Sequence, residues 1–282
     1  MVKISTDSPA DLEHLYEQRN VHVMPLAVIL DGKEYSDGID IDAQMIFDSY
    51  DERHVLPKTA ARSIPDYEEY FANLTADGSG VVHFVISSEI SVSYTNARAA
   101  AEKFDNVYII DSRTLSTGIG LLVLKACDYR DAGMDLKTVV RKINELIPYV
   151  QASFVVDTME YLHKGGRCSG VAKFFASAFS IKPMIMLKDG KMVVGQKYMG
   201  KLGKCIEKYV AAILKEFDTP DLTRIFITHT YADQEIVDSV KAQIQATRPD
   251  FEQVLETHAG CTVTAHCGKG TLGILYINKP DA

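Results

Sequence analysis

The sequence has 282 residues, 46% of them hydrophobic, and a formal net charge of -8 at pH 7. Its length favours two domains, and its negative charge argues against a nucleic acid or an anionic membrane surface as the main partner. The five cysteines are scattered and odd in number, so we do not expect a disulfide framework. The start of the chain lacks the apolar stretch of a signal peptide, and we expect a cytoplasmic protein that handles a small molecule.

The first half of the chain alternates short apolar strands with helices. A strand, a loop and a helix come first, and two extended runs then flank Asp31-Gly32, a strong signal for a β-hairpin. The elements predicted next are a helix at 63–76, a strand at 80–87, a helix at 93–104, a strand at 106–111 and a long apolar helix from residue 116. This order predicts a parallel sheet covered by helices on both faces, with a small antiparallel excursion at about residues 21–42.

The pattern changes near residue 152, where hairpins are mixed with helices. An apolar segment at residues 170–187 leads to a second hairpin signal at Asp189-Gly190, and the last strand is predicted at 270–277. The predicted fold class is therefore α/β. It combines an N-terminal parallel α/β/α layer at residues 1–151 with a C-terminal α+β domain at residues 152–282.

Serine and threonine are concentrated at three predicted strand ends in the first half, at residues 6–8, 87–93 and 111–117. The carboxyl ends of parallel strands meet at one edge of a sheet, where helix N-termini offer free N–H groups to ligands. Hydroxyl groups at this edge either cap helices or donate hydrogen bonds to an anion. The convergence of all three loops on one edge favours an anion-binding site.

Residues 257–277, THAGCTVTAHCGKGTLGILYI, place two histidines, two cysteines and four glycines around a loop before an apolar strand. A serine hydrolase is disfavoured because the sequence has no G-x-S-x-G turn, and the GKG at 268–270 lacks the rest of a P-loop. Zinc is disfavoured because the tight spacing fits no common pattern of cysteine and histidine ligands. No metal site is therefore predicted.

A hydrogen-bonding cradle is the interpretation that remains for this loop. His266, together with serine and threonine hydroxyls, would hold a carboxylate through charge-assisted hydrogen bonds. Gly268 and Gly270 would let the backbone and the ligand approach closely because they carry no side chain. A histidine satisfied by a neighbouring carbonyl is the alternative.

Eight segments of the chain match those of a known family, in the same order. They are KISTDSPADL, VMPLAVILDGKEYSDGIDI, SSEISVSYTNA, VYIIDSRTLSTGIGLLV, DTMEYLHKGGRCSG, KPMIMLKDGKM, THAG and HCGKGTLGILYI. In these segments the sequence resembles the DegV family of bacterial fatty acid-binding proteins. The resemblance implies a parallel α/β domain and an α+β domain, with one acyl chain buried between or beneath them.

The resemblance implies that Thr59, Ser91 and His266 hold the carboxylate of the fatty acid, with Gly268 beside them. The loop around the threonine departs from the family, which has a proline where this chain has Arg62. The guanidinium of Arg62 either adds a positive charge near the head group or points to solvent, as most arginines do.

The loop after Ser91 departs from the family as well. Val92 and Ser93 stand where the family has glycine and threonine, and a positive φ at Val92 would be costly. We expect Ser93 to be a weaker ligand contact. The Gly-Gly-Arg core of HKGGRCS is kept, and Arg167 is a candidate for contact with a phosphate or a partner protein.

The apolar segment at residues 170–187 is the richest candidate for lining an acyl tunnel. A tail gains roughly 0.8 kcal/mol per buried methylene, whereas a carboxylate loses several kcal/mol if it is buried without partners. Aromatic residues at helical spacing also fit a plain core, and a helix next to two glycines also fits a mobile lid. The side chains proposed for the tunnel are Phe174, Phe175, Phe179, Ile181 and Met184.

The function implied by the resemblance is that of a carrier, without catalytic residues and without a cofactor other than its bound fatty acid. A separate fatty acid kinase would phosphorylate the carboxylate that this chain presents, and transient contact with a membrane is part of that picture. Two alternatives stay open. One is a small hydrolase or acyltransferase that uses Ser91 with His266, and the other is a lipid sensor that keeps its ligand.

Overall fold

The computed structural model of the chain describes residues 1–166 and 181–280. The strands are β1 Val2–Asp7, β2 Val21–Met24, β3 Ala27–Leu30, β4 Lys33–Ser36, β5 Lys58–Ala60, β6 Gly80–Val85, β7 Val107–Asp111, β8 Val150–Val155, β9 Ile181–Lys188, β10 Lys191–Met199, β11 Pro220–His229, β12 Val254–His258 and β13 Leu272–Asn278. The α-helices are α1 Leu15–Gln18, α2 Ala43–Arg53, α3 Ile64–Thr75, α4 Ser93–Ala101, α5 Thr117–Asp131, α6 Leu136–Leu146, α7 Glu160–Lys164, α8 Leu202–Glu216, α9 Gln234–Thr247 and α10 Cys261–Cys267.

The first sheet has four strands in the order β2-β1-β6-β7, and all neighbouring pairs are parallel. Helices α3 and α4 cover one face, where Tyr67, Phe71 and Ala97 pack with Val81 and Val85 of β6. Strand β6 is buried along its whole length, which explains its continuous apolar sequence. The predicted parallel α/β layer is confirmed.

Helix α5 lies between this sheet and a second one. Its Ile119 and Leu122 belong to one hydrophobic cluster with Ile4 of β1 and Phe154 of β8, so the helix contacts both sheets. A helix that is buried between two layers has no polar face, and this accounts for the nearly uninterrupted apolar run of α5. The two sheets therefore share one core through α5.

The second sheet has six strands in the order β10-β9-β8-β13-β11-β12, and it is antiparallel except for the pair β11–β12. Helices α8 and α9 cover its far face, where Ile206 and Val237 pack with Ile225 and Ile274. The hairpin predicted at Asp189-Gly190 joins β9 to β10. The predicted α+β arrangement of the second half is confirmed.

The excursion predicted at residues 21–42 has different boundaries in the structure. Strand β2 pairs in parallel with β1 and belongs to the first sheet, because Pro25 lacks an N–H group and separates β2 from β3. Strand β3 pairs with β4 across Asp31-Gly32, which confirms the hairpin. Its other neighbour is the distant β5, so the excursion is a three-stranded antiparallel sheet that extends to Ala60.

Two further stretches differ from the sequence-based prediction. The loop expected after residue 257 contains helix α10. Residues 181–187 of the apolar segment form β9, because pairing with β8 and β10 overrides the helical spacing of the side chains. The domain boundary after residue 151 stays a prediction, and β8 of the six-stranded sheet starts at Val150. Within residues 1–166 and 181–280, no helix has the length and apolar character that crossing a membrane requires.

Candidate ligand-binding site

A mainly apolar cavity lies where the loops after β6 and β7 meet β5, α7 and α10. Together with the solvent at its mouth, it encloses about 570 Å³. Among the described residues that line it, four carry polar side chains, and these four are able to hydrogen-bond to a polar group in the cavity. The lining residues are Leu26, Thr59, Ala60, Ala61, Ile86, Ile90, Ser91, Leu115, Leu162, Met192, Thr262, Val263, His266 and Cys267.

Thr59 and His266 bring two distant parts of the chain together at the cavity. Oγ1 of Thr59 lies 2.8 Å from Nε2 of His266. Pairing of β5 with β3 fixes Thr59 opposite Val28, and His266 lies in the last turn of α10. A Cβ atom on Gly165 would overlap Nδ1 of His266, so the missing side chain of Gly165 lets the end of α7 pack against the imidazole. The imidazole is therefore held from two sides.

The start of helix α10 is fixed by Asp37, which lies in the segment after the excursion's hairpin. The carboxylate of Asp37 accepts hydrogen bonds from the backbone N–H groups of Cys261, at 2.8 Å, and Thr262, at 3.2 Å. It also accepts a hydrogen bond from Ser8 Oγ at 2.8 Å. The loop at residues 6–8 thus acts behind the cavity, where it positions α10 through Asp37.

A second buried carboxylate, that of Asp11, also contacts the start of α10. It accepts hydrogen bonds from Gly260 N at 3.0 Å and from Ser116 Oγ at 2.5 Å. Burial raises the pKa of Asp11 to about 7, although both hydrogen bonds act in the opposite direction. The negative charges of Asp37 and Glu13 add to the increase in pKa. Asp11 is consequently a group whose charge changes near neutral pH.

Ser91 occupies the loop after β6 and is connected to a chain of buried hydroxyls. Its Oγ lies 3.0 Å from Oγ of Ser93 and accepts a hydrogen bond from Ser93 N at 3.2 Å. The side chain of Ser93 hydrogen-bonds to the hydroxyl of Tyr67, which donates to Asp7 at 2.8 Å. Val92 has a φ of -81° and is exposed, so the loop avoids the strain that a positive φ would cause.

The loops at residues 87–93 and 111–117 converge, as the sequence predicts. Ser88 Oγ donates a hydrogen bond of 2.6 Å to Asp111, and both loops reach the cavity, the second one through Leu115. The third loop, at residues 6–8, is not among the described residues that line the cavity. Two of the three loops at the strand ends therefore contribute residues to the lining of the cavity.

Sequence reasoning missed a fully buried Ser–His–Asp arrangement inside the parallel sheet. Ser5 Oγ lies 2.8 Å from His83 Nδ1, and His83 Nε2 lies 3.2 Å from Asp7 Oδ1. The three side chains are completely inaccessible to solvent, so no substrate reaches them and the arrangement is structural. The available signal was His83, a polar residue in the otherwise apolar strand β6, where its partner on β1 is Ser5.

Arg62 is not among the described residues that line the cavity, and its place near the head group stays a prediction. Its Nε donates to the carbonyl oxygen of Pro25 at 2.6 Å, and its two Nη atoms contact Glu34 at 3.1 Å and Ser36 at 3.0 Å. The planar guanidinium joins the excursion to the segment that carries Thr59. Its role is therefore to fix the position of that segment.

Gly268 also has a role other than the expected close approach to a ligand. It ends α10 with a φ of 74°, and a Cβ atom there would lie 2.6 Å from the ring of Tyr161. Gly268 is therefore needed for backbone conformation and packing.

The proposed tunnel residues are placed as follows. Met184 is buried in the core beneath α8, Ile181 opens β9, and neither is among the described residues that line the cavity. Arg167, Phe174, Phe175 and Phe179 lie outside the described residues.

A second cavity adjoins the first and shares Leu115, Val263 and Cys267 with it. It lies against the six-stranded sheet, contains about 320 Å³ including its opening, and is lined further by Phe154 and Leu275. These apolar residues were not singled out from the sequence because their shared environment depends on the position of α10, which packs against α2, α7 and the strands β3 and β5.

The described residues include no group of three or more histidine, cysteine or acidic side chains that could hold a metal ion. Burial raises the pKa of Cys267 to about 12 and shifts the pKa of Cys261 in the same direction. Thiols of this kind are poor metal ligands and poor nucleophiles because they do not ionise at neutral pH.

Comparisons with known proteins give matches along nearly the whole chain. A family model described as "Uncharacterised protein, DegV family" matches residues 1–279. A DegV domain-containing protein of Clostridium acetobutylicum is 29% identical over 281 residues, which are 99% of each chain. A fatty acid-binding DegV family protein from Thermus thermophilus has the same fold, with a TM-score of 0.90, 27% identity and 99% of each chain covered. A stearic acid-binding protein from Eubacterium ventriosum gives a TM-score of 0.85 at 25% identity, again over 99% of each chain. The chain belongs to the DegV family.

Proposed function

We propose that this chain binds one long-chain fatty acid, holds its carboxylate with Thr59, Ser91 and His266, and presents it to a separate kinase for acyl-phosphate formation. The observation that carries the proposal is the 2.8 Å contact between Thr59 Oγ1 and His266 Nε2 in a cavity whose remaining lining is mostly apolar. Fatty acid binding by the relatives from Thermus thermophilus and Eubacterium ventriosum supports it.

The polar side of the cavity meets the requirement of a carboxylate. A carboxylate accepts hydrogen bonds only, and hydroxyl groups are able to rotate their hydrogen atoms towards it. Thr59 Oγ1 can accept a hydrogen bond from Nε2–H of His266 and donate its own hydrogen to the ligand. Ser91 can turn its hydrogen from Ser93 towards the ligand. Hydrogen bonds to a charged group contribute roughly 1.5 to 3 kcal/mol each, which offsets the cost of removing the carboxylate from water.

The apolar side of the cavity meets the requirement of the tail. Leu115, Val263 and Cys267 line both cavities, so a flexible chain that passes these three residues reaches Phe154 and Leu275. Each methylene buried along this path stabilises the complex by roughly 0.8 kcal/mol. A ligand with one ionised end and a hydrocarbon tail therefore matches the chemistry of the two adjoining cavities.

A hydrolase or acyltransferase that uses Ser91 and His266 is less well supported. A nucleophilic serine needs a base within hydrogen-bond distance that accepts its proton. The Oγ of Ser91 is hydrogen-bonded to Ser93, and Nε2 of His266 is hydrogen-bonded to Thr59. These contacts support a binding role for both residues.

Native mass spectrometry of the purified chain tests the binding step. We expect a mass increment equal to that of a long-chain fatty acid, and incubation of the loaded chain with ATP and a bacterial fatty acid kinase should convert the acid to its acyl phosphate. Loss of the increment on extraction with organic solvent and its return on addition of the acid serve as controls.

Three outcomes would contradict the proposal in different ways. Absence of any binding by the natural chain would reject the carrier function. Binding without phosphorylation by the kinase would favour a lipid sensor. Ester turnover that is abolished by Ser91→Ala would favour the hydrolase.

A further inference from the structure

Thr262 is the fourth polar side chain among the described residues that line the cavity, and no motif in the sequence singles it out. Its residue is 6% exposed, and its Oγ1 has no hydrogen-bond partner among the described residues. The residue lines the same cavity as Thr59 and His266. A buried hydroxyl without a partner is destabilising, since it has lost its water and gained no replacement.

The next threonine of the same helix shows what the structure does with a hydroxyl that has only a structural role. Thr264 Oγ1 donates a hydrogen bond of 3.0 Å to the carbonyl oxygen of Ala259, and its residue is completely buried. Thr264 is not among the described residues that line the cavity. Thr262 and Thr264 thus lie within one helical turn, but only the hydroxyl of Thr264 has a hydrogen-bond partner among the described residues.

Thr262 and His266 are four residues apart in α10, and side chains with this spacing lie on the same face of a helix. Their Cβ atoms are therefore about 5 to 6 Å apart. A carboxylate has two oxygen atoms, each with room for two hydrogen bonds, so a single head group is large enough to contact both side chains.

We propose that Thr262 is a ligand-binding residue whose hydroxyl donates a hydrogen bond to the carboxylate of the bound fatty acid. The inference rests on the proposed function and adds a fourth donor to Thr59, Ser91 and His266. The unsatisfied Oγ1 in the ligand-free structure is satisfied when the acid binds. Thr262 is then one of the residues that select an ionised head group over an uncharged one.

The test measures affinity for hexadecanoic acid and for hexadecan-1-ol in the natural chain, Thr262→Val and Thr262→Ser. Valine keeps the shape of threonine and removes the hydroxyl, so we expect the acid to bind about tenfold more weakly or worse, with a smaller change for the alcohol. Serine keeps the hydroxyl and should restore the affinity for the acid.

Thr264→Val is the matched control. It removes an internal hydrogen bond, so it should lower Tm by about 2 to 4 °C without changing the ratio of the affinities for acid and alcohol. Thr262→Val removes no internal hydrogen bond, and its ligand-free Tm should be unchanged or higher.

The possible results separate this inference from the proposed function. If the natural chain binds the acid and Thr262→Val binds it equally well, the role of Thr262 is rejected and the carrier function stands. If Thr262→Val binds the acid and the alcohol more weakly by the same factor, Thr262 contacts another part of the ligand. That result would also reject its role in holding the carboxylate. If the natural chain binds neither compound, the proposed function fails and this inference fails with it.

Discussion

The hydroxyl oxygen of Thr59 lies 2.8 Å from Nε2 of His266, although 207 positions separate the two residues in the chain. Thr59 belongs to the three-stranded excursion of the first half, and His266 belongs to a helix of the second half. The contact therefore requires that β5 and α10 are both in place. The proposed site thus depends on the folding of both halves of the chain.

Thr59→Val should weaken binding of a long-chain fatty acid by about tenfold or more. The substitution keeps the volume of the side chain, but it removes the hydroxyl that contacts His266 and that we propose to donate to the carboxylate. Isothermal titration of ligand-free protein with hexadecanoic acid measures the effect, and Thr59→Ser should retain most of the affinity. Unchanged binding by Thr59→Val would show that the carboxylate lies elsewhere.

Gly165→Ala should disrupt the head-group site without adding any charge or hydrogen-bonding group. The new methyl group would overlap Nδ1 of His266, so the imidazole has to shift or rotate, which disturbs the contact of its Nε2 with Thr59. We expect a loss of affinity for the acid at least as large as that of Thr59→Val, and a shift of the His266 ring signals in the NMR spectrum. Gly203→Ala, in helix α8, is the matched control because its methyl group has nearly enough space, and it should bind the acid normally.

Asp11→Asn should remove part of the pH dependence of stability. Burial raises the pKa of Asp11 to about 7 in the folded chain from an ordinary value of 3.8. Well below pH 4 the carboxyl group of Asp11 is protonated in both the folded and the unfolded chain. As the pH rises from about 4 to 7 the unfolded state ionises first, so this group lowers the free energy of unfolding by about 4 kcal/mol across that window.

Urea unfolding at pH 5 and at pH 8 measures this contribution. The natural chain should lose more stability between the two values than Asp11→Asn, and the variant should be the more stable of the two at pH 8. Asp105→Asn changes an exposed carboxyl group and should follow the natural chain. If Asp11→Asn has the same pH dependence as the natural chain, the carboxyl group of Asp11 ionises in the folded chain at the pH that is ordinary for an aspartate.

Arg62→Met should lower stability and leave the salt dependence of fatty acid binding unchanged. The guanidinium makes three contacts that join the excursion to its surroundings, so their loss should cost about 1 to 3 kcal/mol of unfolding free energy. Arg62 does not line the cavity, so removal of its charge should not alter how salt affects the Kd. A flatter salt dependence in the variant would place Arg62 beside the carboxylate after all.

The local signals in the sequence predict the fold well. Apolar strands that alternate with helices indicate a parallel sheet, and both Asp-Gly pairs are confirmed as hairpins. The short strand β5 and the correct partner of β2 were not predicted, because three or four residues carry too little periodicity. Both depend on pairing with strands that are distant in the chain.

The candidate site is predictable only in part for a similar reason. Thr59, Ser91 and His266 come from the resemblance to the DegV family, and the structure brings them to one cavity. Which face of α10 points inward is set by the two carboxylates that hold its first residues, Asp11 and Asp37, and the sequence contains no signal for that contact. Thr262 and the apolar residues around it could therefore be recognised only once the helix was in place.

Helix α5 supplies buried side chains to both sheets, and neither half of the chain has a complete interior without it. A fragment that ends at residue 151 would leave the surface of α5 that packs on Phe154 open to water, which favours aggregation. Unfolding of one half of the chain removes side chains that pack in the core of the other half. A differential scanning calorimeter should accordingly record a single endotherm for the intact protein.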